Sequence, residues 1–278
     1  MSSGRINGVE LYWELTGDAG EPLVFVHGSW ADHRAWDRLV PSLSRSFRVL
    51  TYDRRGHSRS ERPAGQGSIN EDVADLCGLL EYLGLAPANL AASSFGGAIA
   101  LRAVAERPDI FRRLVVHEPP LFDLLEGDDA ARAALDEVRE HMAAAAALLA
   151  GGAMEAGTRH FVETIAAGPG GWERIPPDMR QSYVFNAPTW LDETRDPGAL
   201  AVDLSTLRRF PGPVRLTVGE KSPSFFRPVV DVIARNLTQA DVHTFAGAGH
   251  APHISHSGQY LEALTTFIRV LRGPRTDR

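Results

Sequence analysis

Leu90-Ala91-Ala92-Ser93-Ser94-Phe95-Gly96-Gly97 is the stretch on which the reading of this chain turns. Leu90 to Ala92 reads as a short strand, and Gly96 to Ala105, ended by Pro108, reads as a helix, so Ser94 falls where one gives way to the other. A side chain presented on so sharp a turn needs small neighbours two residues to either side, because the folded backbone leaves no room for larger ones. Ala92 and Gly96 meet that need in an Ala-x-Ser-x-Gly frame, a departure from Gly-x-Ser-x-Gly. The plain alternative is a Ser/Gly-rich helix start; the strand-to-helix context favours a nucleophile at Ser94, with Ser93 off the frame.

Working outward, the same alternation recurs. Asn7-Gly8 between short apolar segments predicts a tight hairpin at the start. Leu23 to Val26 and Phe47 to Leu50 are continuous apolar runs, as expected of strands covered on both faces, and Trp36, Leu39, Val40 and Leu43 between them predict a helix begun by Asp32. Ser68 and Glu71 form a capping-box signature before Val73, Leu76, Leu80 and Leu83. Leu114 to Val116 reads as another buried strand. Later come Val214 to Val218, a helix around Val229 to Leu237, a strand at Val242 to Phe245 and a closing helix from Tyr260 to Leu271. Alternating strands and helices predict an α/β fold with a mostly parallel sheet flanked by helices. From Pro119 to Ser205 the rhythm breaks: Asp128 to Ala150, Phe161 to Ala167 and the segment from Pro176-Pro177 read as helices without a convincing strand. The expected organisation is therefore a core of residues 1–118 and 206–278 with an inserted helical cap at 119–205.

Composition excludes several classes. The chain of 278 residues is 44% hydrophobic and 23% charged, ordinary for a soluble globular protein. A net charge of −6 argues against a nucleic-acid or anionic-membrane partner, and Arg54-Arg55 and Arg208-Arg209 are only pairs, expected at solvated ends of elements. The single cysteine, Cys77, allows no internal disulfide and falls in a helical pattern as a small buried residue. The N-terminal stretch lacks the apolar segment of a signal peptide, and the longest apolar run, Met142 to Ala150, is far short of the ~20 residues a bilayer requires. A cytoplasmic protein without a membrane partner is expected, with a small-molecule substrate; a homodimer is compatible with this composition.

A serine hydroxyl needs a base, and the base needs a carboxylate to hold its tautomer and charge. Ala248-Gly249-His250-Ala251-Pro252-His253 follows the last strand, and His250 is the candidate base. With His253 and His256 it could instead form a His-x-x-His-x-x-His metal site, but no carboxylate completes the shell; no metal is expected, and His253 and His256 read as packed or surface residues. After Val214 to Val218 one looks for an aspartate, yet the loop reads Gly219-Glu220-Lys221-Ser222-Pro223 with Ser222 where the acid is sought. Glu118, ending the strand Leu114 to Val116, takes the role by topology and preserves the order nucleophile, acid, histidine. Glu220 is the alternative acid. Gly28 permits a bend after Val26-His27, so the backbone N–H of Ser29 and that of Phe95 are the candidate oxyanion donors, with His27 structural.

These motifs, with Asp53-Arg54-Arg55-Gly56-His57-Ser58-Arg59-Ser60, resemble the α/β-hydrolase superfamily over nearly the whole chain, specifically in the core and weakly in the cap. The resemblance implies an eight-stranded sheet, a mobile helical lid and no cofactor. The Val-His-Glu-x-Pro segment around Glu118 is similar to that of zearalenone-type lactone hydrolases, where the acid follows the sixth strand, and one branch of haloalkane dehalogenases shares that placement. Ser94 argues against the aspartate-nucleophile chemistry of the dehalogenases and against epoxide hydrolysis.

By that resemblance the expected activity is hydrolysis of an ester or lactone through an acyl-enzyme. The alternatives are an acyltransferase on the same residues and a non-hydrolytic ligand-binding or lyase member of the fold. Trp30 beside the oxyanion loop, together with Phe122, Tyr183, Phe185 and Trp190, is expected to contact substrate; Phe161 and Trp172 add aromatic surface to the cap. For any one of these, packing between cap helices is the simpler reading.

Overall fold

Asn7 and Gly8 both have positive φ, 45° and 85°, and form the tight turn joining the antiparallel strands β1 (Ser2–Ile6) and β2 (Val9–Thr16). The computed structural model describes residues 2–270. The remaining strands are β3 (Glu21–Val26), β4 (Phe47–Tyr52), β5 (Ala88–Ser93), β6 (Phe111–His117), β7 (Val214–Gly219) and β8 (Ala240–Phe245). They form one eight-stranded sheet in the order β1-β2-β4-β3-β5-β6-β7-β8, parallel from β4 to β8. This is the α/β-hydrolase fold.

Each central strand buries both faces, which explains its unbroken apolar run. Val24 and Val26 of β3 pack with helices Ile69–Tyr82 and Phe95–Glu106, while Leu23 and Phe25 pack on the opposite face with Trp36 and helix Ser257–Val270. Helix Ile69–Tyr82 begins with the Ser68–Glu71 capping box read from the sequence, and Cys77 is buried on it, its thiol pushed up to about 11 by burial. The chain passes from β3 outward to β4 and then returns to place β5 on the other side of β3. At such a reversal the two carboxyl ends diverge and leave a crevice, the usual ligand site of open α/β sheets.

Between β6 and β7 the described residues form helices and no strand. The longest are Arg132–Ala150 and Pro177–Arg195; between them lie Met154–Phe161, a π turn at Val162–Ala166 and the short Gly171–Arg174. Ala145, Leu149, Ala187 and Trp190 form a small core of their own with Trp30. No described helix is long and apolar enough to cross a membrane.

Three expectations need correction. The helix expected after Asp32 is a 3-10 turn, His33–Trp36, followed by a single α turn, Val40–Leu43; Pro41 has no N–H for a continuous helix. Asp32 does cap the 3-10 turn, accepting from the Arg34 N–H. Arg54 and Arg55 are not solvated: both are buried, Arg54 between Asp72 and Glu193 and Arg55 between Asp75 and Glu71, so their charges are balanced internally. The closing helix begins at Ser257, three residues earlier than Tyr260, and Leu271 lies outside the described residues.

Candidate active site

Ser94 stands between β5 and helix Phe95–Glu106 with φ 55° and ψ −129°, a conformation a non-glycine residue holds only under constraint. The constraint is visible in its neighbours. A Cβ on Gly96 would lie 2.4 Å from the Val26 carbonyl oxygen, so a glycine is required where the turn crosses β3. A Cβ on Gly28 would lie 2.9 Å from the Ser94 Cβ, so the loop after β3 passes directly against the turn. Ser29 and Phe95 follow these close approaches, and neither backbone N–H has an acceptor among the described residues. They are backbone donors beside Ser94 without a partner, and an oxyanion needs such donors.

Glu118 immediately follows β6 and, like Ser94, has positive φ, 44°. Its fully buried carboxylate accepts the Gly219 N–H at 2.7 Å and the His250 Nδ1–H at 2.6 Å, while His117 Nε2 lies 3.4 Å away. Burial alone would raise the carboxyl pKa, but the neighbouring His117 and His250 outweigh it and hold Glu118 well below the usual carboxylate range. An ionised Glu118 accepting from Nδ1 fixes the tautomer of His250 with its Nε2 lone pair free to take a proton. The ring of Phe226 stacks on that of His250 with 4.4 Å between centroids.

Glu220 is engaged elsewhere: its Oε2 accepts the Gly247 N–H at 2.7 Å, which holds the turn after β8. Ser222 carries a hydroxyl in place of a carboxylate, and that buried hydroxyl has no partner among the described residues. His27 accepts the Arg54 N–H at Nε2 and meets the Gly28 carbonyl oxygen through Nδ1; burial and the Arg54 charge lower its pKa to about 4, so a neutral ring pins the loop.

Ser94, His250, Ser29 and Phe161 all border two cavities. The larger, about 270 Å³, is also lined by Trp30, Trp36, Tyr183 and His253. The smaller, about 30 Å³, is also lined by Phe95, Phe122, Trp190 and Glu193. Trp30, Phe122, Tyr183 and Trp190 thus stand where substrate contact was expected. Phe185 does not: it is 61% exposed, because it lies two residues from Tyr183 and so on the opposite side of helix Pro177–Arg195. Trp172 is buried outside both cavities, with Arg180 over its ring.

Two side-chain roles escaped the sequence reading. Glu193 accepts from Ser29 Oγ at 2.5 Å and from Arg54 at 2.9 Å, joining helix Pro177–Arg195 to the loop that carries Ser29. Asn186, seven residues earlier on that helix, accepts the Ser58 N–H and donates to the Trp30 and Ala31 carbonyls. The available signal was a pair of polar residues in register with Trp190 on one helix face.

Among the described residues, two groups of side chains bring potential metal ligands together: His117, Glu118 and His250, and the buried Asp32, His33 and Asp53. In the first, Glu118 and His250 are bonded to each other and Glu118 also to Gly219, while His117 meets Thr217 Oγ1 at 3.0 Å through Nδ1 and its Nε2 has no hydrogen-bond partner among the described residues. In the second, Asp53 accepts from His33 and from the Arg59 N–H, and Asp32 is paired with Arg34. His253 and His256 belong to neither group, so the His-x-x-His-x-x-His arrangement is not formed among the described residues.

The sequence pattern of the Alpha/beta hydrolase family matches residues 23–263. The 2-hydroxymuconate semialdehyde hydrolase of Pseudomonas sp. (strain CF600) is 28% identical over 90% of this chain and 87% of its own length. The sn-1-specific diacylglycerol lipase ABHD11 of Mus musculus is 30% identical over 91% of this chain and 83% of its own. Among solved structures, the enol-lactonase from Burkholderia xenovorans LB400 superposes with a TM-score of 0.77 at 20% identity, covering 96% of this chain and 99% of that one, a likeness of fold.

Proposed function

The chain belongs to the alpha/beta hydrolase family, and within it we propose a serine hydrolase that cleaves an ester or lactone of a small, largely apolar substrate through an acyl-enzyme. The observation that carries this reading is His250 hydrogen-bonded to the buried Glu118 while sharing two cavities with the strained Ser94. A hydrolase and a diacylglycerol lipase among the relatives support it.

In this mechanism Ser94 Oγ attacks the carbonyl carbon as its proton passes to His250 Nε2, and the N–H groups of Ser29 and Phe95 stabilise the oxyanion. Glu118 balances the imidazolium, which then protonates the departing alkoxide. Water deprotonated by His250 attacks the acyl carbonyl, the acid product leaves, and Ser94 regains its proton. Acid placement after the sixth strand is similar to that of zearalenone-type lactone hydrolases, and residues 119–205 serve as a cap over the cleft. The predominantly apolar walls of the larger cavity suit an apolar arm.

The test is a panel of aryl esters, lactones and amides assayed beside Ser94→Ala. Turnover of esters or lactones by the native chain and none by a folded variant is expected; equal rates in both would overturn the reading.

A further inference from the structure

His253 takes no part in the mechanism above, yet it lines the larger cavity. Its ring is 6% exposed, packed on Trp36 with 4.6 Å between centroids and edge-on to Tyr260 at 6.0 Å. Nδ1 is buried without a hydrogen-bond partner; Nε2 also lacks a protein partner among the described residues but keeps accessible surface. Burial lowers the pKa of His253 to about 3, aided by His117 and His250, so the ring is neutral, with one N–H and one lone pair. An orphaned buried N–H is rarer and costlier than an orphaned lone pair, which places the proton on Nε2.

The rest of the wall supplies no carboxylate to compete for this donor: no Asp or Glu lines the cavity among the described residues, and the indole N–H groups of Trp30 and Trp36 are buried away from it. Arg174, on the same wall, is committed to the Ala167 and Pro169 carbonyls. An accessible donor without an acceptor calls for an occupant that brings one.

We propose that His253 is a specificity-determining residue whose Nε2–H donates to a second, neutral carbonyl oxygen on the substrate arm held in the larger cavity, so that the preferred substrates are esters or lactones carrying a further ketone or ester carbonyl. This inference rests on the hydrolase reading above. A neutral donor selects carbonyl-bearing arms over hydrocarbon arms of the same shape, and does so at any pH well above 3.

The experiment compares kcat/KM for matched pairs differing by one carbonyl. One pair varies the acyl arm, 4-nitrophenyl 4-oxocyclohexanecarboxylate against cyclohexanecarboxylate; the other varies the alcohol arm, the acetates of 4-hydroxycyclohexanone and cyclohexanol. The native chain is expected to favour the oxo member of at least one pair by about tenfold, the worth of one neutral hydrogen bond. In His253→Phe, which keeps a ring against Trp36, that ratio is expected to fall to about one; His253→Leu replaces it should the Phe variant not fold. A ratio near one in the native chain for both pairs, or an undiminished ratio in the variant, would overturn the inference. If neither pair is turned over and a fluorophosphonate leaves Ser94 of the native chain unlabelled, the hydrolase reading itself fails; hydrolysis of both pairs without preference sinks only the role given to His253.

Discussion

Ser94 and Glu118 are both non-glycine residues held at positive φ, 55° and 44°, and they terminate neighbouring parallel strands of one sheet. Such conformations cost of order 1–3 kcal/mol each and persist only where the surroundings impose them. The first was legible in the sequence, since small residues at 92 and 96 announce a cramped turn. The place of Glu118 was legible by elimination, because residues 219–223 offer no aspartate and Glu118 ends a buried strand. Its conformation and its second neighbour, His117, were not, since both depend on how β6 meets β7. Glu118→Gln is expected to reduce kcat by about 10⁴-fold, as the amide cannot balance the imidazolium. Glu220→Gln is expected to stay within a few fold, and the reverse ranking in steady-state assays would move the acid to the later loop. Because the folded pKa of Glu118 lies below its ordinary 4.5, the carboxylate stabilises the native chain fully above that pH and loses its contribution as the pH falls through the folded value. Thermal melts below pH 4.5 are accordingly expected to show a shallower acid loss in Glu118→Gln than in the native chain.

Helix Pro177–Arg195 shows where sequence reading stops. Its start was marked by Pro176-Pro177, but which face turns inward was not, because Tyr183, Phe185 and Trp190 are all aromatic and only two share a face with Asn186 and Glu193. The partners that decide it, Ser29, Trp30 and Arg54, lie more than a hundred residues away. Glu193 is pushed up to about 7 by burial, despite Arg54, which it shares with Asp72. A raised folded pKa means that the native state holds this proton more tightly than the unfolded chain, whose ordinary value is 4.5. Stability linked to Glu193 is therefore present below about pH 4.5 and is lost as the pH rises through about 7. Glu193→Gln removes that titration, so the Tm of the variant relative to the native chain is expected to be higher at pH 8 than at pH 5; a difference that does not change with pH would show that Glu193 does not titrate in this range.

At the scale of the whole molecule, alternating apolar runs and helical stripes were enough to anticipate the parallel sheet, because each central strand is buried on both faces. The reversal at β3 then brings Gly28-Ser29 and Ser94 to one crevice. The division of the space around Ser94 into a large and a small cavity was not legible; of the residues bordering both, Phe161 is the one contributed by the helices between β6 and β7. Phe161→Ala is expected to join the two and to raise kcat/KM for esters bulky on both arms, by about tenfold relative to esters with one short arm; an unchanged ratio would remove Phe161 as the divider. The central claim, that the Ser94 hydroxyl is an activated nucleophile, is tested most directly by treating the folded protein with a fluorophosphonate and locating the adduct by peptide mass spectrometry. One phosphonyl group on Ser94, absent after Ser94→Ala, is the predicted result; an unmodified Ser94, or an adduct that survives the substitution, would contradict it.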